Sequence, residues 1–76
     1  MATNNHYSMR GQYVKACAIL RAINNLHEAA GRAARAGWYD VADSQRESAR
    51  QAERMLKRSV PATIYSAAIE SVSAGS

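Results

Sequence analysis

Gly37 stands between two runs of small and branched residues in 3-4 alternation, and this arrangement leaves few folds open to the chain. Ahead of it recur Ala16, Ile19, Ile23, Leu26, Ala30 and Ala33; behind it come Ala42, Gln45, Ala49, Ala52, Leu56 and Ser59. Residues three and four apart are neighbours on a helix surface, so each run forms a seam along one helical face. Arg21, Asn24, Asn25, Glu28, Arg32 and Arg35 fall off the first seam, as a solvated face requires. Glycine adopts the left-handed backbone that closes a helix, so the first helix ends at Gly37. A connection as short as Trp38-Tyr39-Asp40 obliges the second helix to run back antiparallel. In that register Ala33 faces Ala42, Leu26 faces Ala49, Ile23 faces Ala52 and Ile19 faces Leu56. Large side chains then meet small ones, as close packing demands. The expected fold class is all-α, an antiparallel helical hairpin with a short third helix at its C-terminal end.

The 76 residues form one domain on this reading. Residues 1–7 are polar and without period and read as a flexible tail. Helix 1 is expected over 8–36, with Ser8 as its cap, and helix 2 over 41–59, with Asp40 as its cap. Pro61 ends helix 2 and suits the first turn of a third helix over 61–72, where Ile64, Tyr65, Ala68, Ile69 and Val72 recur at helical spacing. Residues 73–76 read as a second loose tail.

The stretch from Ala33 to Ala42, with Ala49 beyond it, resembles the inter-helix turn of a tetratricopeptide repeat. Gly37, Tyr39 and Ala42 supply the Gly-x-Tyr-x-x-Ala pattern of that turn. The resemblance spans roughly residues 26–56. It departs at Arg46, where the family places a large apolar residue, and the family's closing proline is out of register. It implies two antiparallel helices joined at Gly37 and, for a lone repeat, no solenoid.

The core this sequence can build is small. There is no Phe, and beyond four Val the large aliphatics are Ile19, Leu20, Ile23, Leu26, Leu56, Ile64 and Ile69. Alanine supplies much of the remaining apolar content and buries little area, whereas a buried Leu or Ile contributes about 1.5–3 kcal/mol. Helix 1 is apolar over a wider arc than one neighbour needs, because Leu20, His27 and Ala34 flank the seam on one edge and Ala22 and Ala29 on the other. A second chain, either another copy in a homodimer or a protein partner, is therefore expected to complete the burial. Leu20, His27, Ile64, Tyr65 and Ile69 are the positions expected to meet it. A half-buried His27 would make that association pH-sensitive.

Catalysis finds little support. None of the six acids, Glu28, Asp40, Asp43, Glu47, Glu53 and Glu70, sits in an apolar sequence setting that would tune it for proton transfer. Asp43 and Glu47 share a helix face but have Arg46 and Arg50 around them. No phosphate-cradling loop or nucleophile elbow is present. Cys17, His6 and His27 lack the clustering that structural zinc needs, with Cys17 read on the polar side of helix 1. We expect no enzyme activity, cofactor, metal or small-molecule substrate. One cysteine excludes a disulfide framework, no signal peptide is legible, and no apolar run spans a bilayer, so a cytoplasmic protein without membrane contact is expected.

Two surface features carry functional weight. Arg46, Arg50, Arg54, Lys57 and Arg58 fall within roughly a 120° arc of helix 2. The arc suits an acidic protein patch or a phosphate backbone, and it reads equally as a solvated face whose last cations favour the helix dipole. At the hairpin tip, Arg35, Trp38 and Tyr39 form a candidate partner anchor; the competing reading folds both rings over the hairpin end. Small basic helical proteins of this kind are frequent among the inhibitory and accessory factors of phages and mobile elements. The functional expectation is accordingly a non-enzymatic factor that occupies a surface of a larger protein or nucleoprotein complex. The alternative is a nucleic-acid-binding accessory protein without sequence specificity, working through the arginines of helix 2.

Overall fold

A computed structural model describes residues 9–75 of the chain. It contains three helices in order, α1 (Met9–Arg35), α2 (Tyr39–Ser59) and α3 (Ala62–Ala74), and no strand among the described residues. The expected cap Ser8 and the tail 1–7 lie outside the described residues.

The turn between α1 and α2 is built as a glycine-closed helix end. Gly37 sits at φ +85°. Its amide donates to the carbonyl of Ala34 at 3.0 Å, and the Trp38 amide reaches back to the carbonyl of Ala33 at 2.8 Å. These are the two bonds of a Schellman closure, and they satisfy carbonyls that the end of α1 leaves open. The expected cap role of Asp40 is corrected here. Trp38 occupies the N-cap without a side-chain hydrogen bond, and Asp40 lies inside the first turn, where its charge still favours the positive end of α2. Two residues are needed to complete the Schellman bonds, and α2 begins directly after them.

α1 and α2 run side by side and bury two clusters. Near the turn, Ala30 and Ala33 pack with Ala42, and half-buried Ala34 packs against them. Farther along, Ala16, Cys17, Leu20 and Ile23 gather with Ala49 and Leu56, and Ile19, Leu26 and Ala52 pack around them. The seam of α2 stops at Leu56; Ser59 is exposed, its hydroxyl donating to the carbonyl of Met55 at 2.7 Å. Between the two clusters stands Gln45, whose Oε1 is buried without a hydrogen-bond partner. An orphaned buried polar atom costs about 1–3 kcal/mol. Gln45→Leu should therefore raise stability by about 1–2 kcal/mol, read as a higher midpoint in urea with an unchanged slope. A lowered midpoint would mean that Gln45 has a partner that relieves its carbonyl.

The third helix packs mainly on α1 of the same chain. Pro61 is its N-cap rather than its first residue, with φ −60° and ψ 151°. Together with Val60 (φ −129°, ψ 153°) it makes an extended corner after α2. α3 runs to Ala74, so Ser73 and Ala74 are helical rather than tail. Ile64, Ala68 and Val72, spaced four apart, are its buried stripe and join the larger cluster.

This placement corrects several expectations. Cys17 is buried, not on a polar face, and Leu20 and Ile64 are buried inside the chain rather than offered to a second one. Tyr13, Cys17, Leu20, Asn24 and His27 form a second 3-4 alternation beside the first, and α3 lies along it. The wide apolar arc of α1 has two neighbours within one molecule. His27, expected to be half-buried, is exposed near the far end of α3. α3 is shorter than the hairpin, so the tip stands clear of it, in a molecule 51 Å by 26 Å by 15 Å.

Candidate interaction surface

The tip carries three of the seven large apolar side chains exposed among the described residues. Trp38 is 64% exposed and Tyr39 67%, with Val41 at 46% beside them. The rings do not fold over the hairpin end. The amides of Gly37 and Trp38 are held by the Schellman bonds, and the alanine cluster below is already closed. Arg35, in the last turn of α1, is exposed next to them. The structure thus brings Arg35, Trp38 and Tyr39 together on one rigid turn.

The basic stripe of α2 is exposed except at half-buried Arg46, and it is largely engaged by the helix's own acids. Arg46 Nη1 lies 3.5 Å from Asp43 Oδ1. Arg50 donates through Nε and Nη2 to Glu47 Oε1 at 3.3 and 3.2 Å. Arg54 Nη2 lies 3.7 Å from Glu47 Oε2. Lys57 stands over the Tyr65 ring, with Nζ 5.7 Å from its centroid. Arg58 makes no ion pair among the described residues. Exposed pairs of this kind contribute about 0–1 kcal/mol each, so a phosphate or carboxylate can displace them. They still leave the stripe close to neutral at its Asp43–Arg50 end.

Of the remaining expected contact residues, Tyr65 is half-buried and Ile69 is exposed, and both line a cleft with Leu20, His27 and Glu53. The Tyr65 hydroxyl donates to Glu53 Oε2 at 3.2 Å. Burial, then the Glu53 charge, then this hydrogen bond push the phenol above its usual value of 10.0. The folded state thus holds the proton more tightly than the unfolded one. Its contribution is complete below about pH 10 and is lost as pH rises through the folded value. Tyr65→Phe should flatten the alkaline loss of stability, and difference absorbance should show one late-titrating tyrosine disappear. An unchanged alkaline profile would refute the link.

One groove was not legible in the sequence. It holds about 380 Å³ between the open ends of α1 and α2 and is lined by Gln12, Lys15, Ile19, Ala52, Met55, Leu56, Ser59 and Val60. Met55 is 67% exposed there. Met55 and Val41 both lie off the 3-4 seam, and a large apolar residue exposed beside a buried stripe is the signal that marks such positions.

No group of three or more His, Cys, Asp or Glu among the described residues is arranged to hold a metal. Among the described residues, no helix is long and apolar enough to cross a membrane. Set against protein-family models, curated proteins and solved structures, the chain matches none. The likeness of Gly37 to Ala42 to a tetratricopeptide-repeat turn therefore stays a likeness of that turn.

Proposed function

We propose that this protein is a non-enzymatic interaction factor that occupies a surface of a larger protein or nucleoprotein complex in the cytoplasm, in the manner of phage and mobile-element inhibitors. One observation carries the reading. Trp38 and Tyr39 stand mostly exposed on a turn fixed by Gly37, beside Arg35. Trp, Tyr and Arg are the residue types that dominate binding energy at protein interfaces. A rigid turn presents them with little ordering cost on association. Binding of nucleic acid through α2 has less support, because Asp43 and Glu47 already engage Arg46, Arg50 and Arg54.

Affinity capture with the full chain from its source cell tests the proposal. Wild type is compared with Trp38→Ser/Tyr39→Ser and with Arg50→Glu/Arg54→Glu, each with and without nuclease. We expect a protein that survives nuclease treatment and is lost with the tip variant. Retention that nuclease abolishes, and that the arginine variant removes, would overturn the reading in favour of nucleic acid. Such contacts would also show affinity falling linearly in log salt.

A further inference from the structure

The tip and the groove lie at opposite ends of the hairpin, and they complement each other. The tip offers Trp38, the chain's single tryptophan, together with the acid Asp40 in the first turn of α2. The groove offers an apolar floor of Ile19, Ala52 and Met55, with Lys15 on its lining. Its 380 Å³ lies at the low end of the range for small-molecule pockets, room for an indole ring. An apolar anchor with a carboxylate two residues on thus has, on the same chain, an apolar socket with one cation, Lys15, on its lining. The two cannot meet within one molecule, because about 24 Å of helix separates Ile19 from Arg35 at 1.5 Å per residue.

The surface between them suits a close neighbour. By helical spacing, the hairpin face turned away from α3 carries Ala22, Leu26 and Ala29 from α1 and Ser44, Ser48 and Met55 from α2, and no charge between Lys15 and the tip. In a chain of net charge +4, this is where a second copy can approach without repulsion. A strip ~30 Å long, from Lys15 to the tip, and ~20 Å wide, the width of two packed helices, offers about 600 Å² per partner, the low end of what a specific, stable interface buries. Antiparallel alignment also keeps apart the two basic open ends, where Arg10, Lys15, Lys57 and Arg58 gather.

We infer that in the free protein the tip is held by a second copy of this chain, which a larger partner displaces: in a two-fold antiparallel dimer, Trp38 of each protomer seats in the apolar groove between α1 and α2 of the other, with Asp40 toward Lys15 at its edge. The inference rests on the reading of the tip as a docking surface and names what docks there. The contact is reciprocal, so it closes at two copies and does not propagate.

Trp38 reports directly on the contact. Mass by light scattering, tryptophan emission and acrylamide quenching are followed on the purified full chain from micromolar to millimolar concentration. The expected result is a dimer whose emission moves to the blue and whose quenching falls as the dimer forms. Met55→Glu changes an exposed residue, so helicity should hold while the dimer dissociates at least about 30-fold more readily, the size of a hot-spot loss. The decisive arm mixes Met55→Glu with Trp38→Ser. The only tryptophan then belongs to the Met55→Glu chain, and its tip finds an intact groove on the other variant. Its emission should move to the blue on mixing and not alone. A monomer at every concentration, a dimer with a fully quenchable Trp38, or a mixture without the blue shift would each overturn the inference. A monomer that still captures a cellular protein through Trp38 would overturn the dimer alone. Capture indifferent to Trp38, beside a dimer behaving as described, would overturn only the proposed role of the tip in larger complexes.

Discussion

Leu56→Ala is expected to cost about 2–5 kcal/mol, the range for truncating a buried leucine. Leu56 is 2% exposed and is the only large side chain among the described residues to be fully buried. It lies in the larger cluster with Ala16, Cys17, Leu20, Ile23 and the three buried residues of α3, so its loss opens a cavity beneath two of the three helices. Three of the eight other buried residues of that cluster, Ala16, Ala49 and Ala68, are alanine, which cannot swing inward to refill the space. A domain of this length holds about 4–11 kcal/mol in total, at 0.05–0.15 kcal/mol per residue, and small domains sit toward the lower end. Circular dichroism at 222 nm, followed with temperature and urea, should therefore show the variant partly or wholly unfolded at 37 °C. Loss of less than 1 kcal/mol would mean that the helices close around the vacancy, which contradicts the packing described above.

The second large effect belongs to Gly37. Its φ of +85° lies in the left-handed region, where a residue carrying a Cβ costs roughly 1–2 kcal/mol. A Cβ placed there would meet nothing within 4 Å, so the penalty is one of backbone conformation and not of crowding. Gly37→Ala should lose about 1–2 kcal/mol, Gly37→Asn less because asparagine tolerates this conformation, and Gly37→Val more because β-branching sharpens the clash. The loss should fall on the turn, because the amides of Gly37 and Trp38 close the end of α1. Amide exchange at Gly37 and Trp38 should quicken before exchange at Leu20 or Ile23. An alanine variant as stable as the parent would show that the turn has a second conformation free of positive φ.

The legible part of this molecule is the part governed by local rules. Gly37 as a helix end, Pro61 as a helix boundary and the matched stripes that carry Ala33 to Ala42 and Ile19 toward Leu56 all follow from backbone sterics and a 3.6-residue period. Those rules act within a few residues. The candidate site was legible only in part. Arg35, Trp38 and Tyr39 are marked by residue type beside a turn, but the exposure of both rings depends on how the turn spends its amides. The groove at Met55 depends on how α1 and α2 pack at their open ends, which no periodicity encodes.

The sequence by itself determined that the chain is helical, where its helices break, and that the first two must double back at Gly37. Only the tertiary structure decided which side of that hairpin α3 covers. The extended corner at Val60 and Pro61 sets the path of α3, and with it the burial of Cys17, Leu20 and Ile64 and the exposure of His27 and Met55. The stripe on α1 that receives α3 is as periodic as the stripe that receives α2. A helical repeat states that a face will be covered, whereas the angle at which the chain leaves the preceding helix chooses the element that covers it.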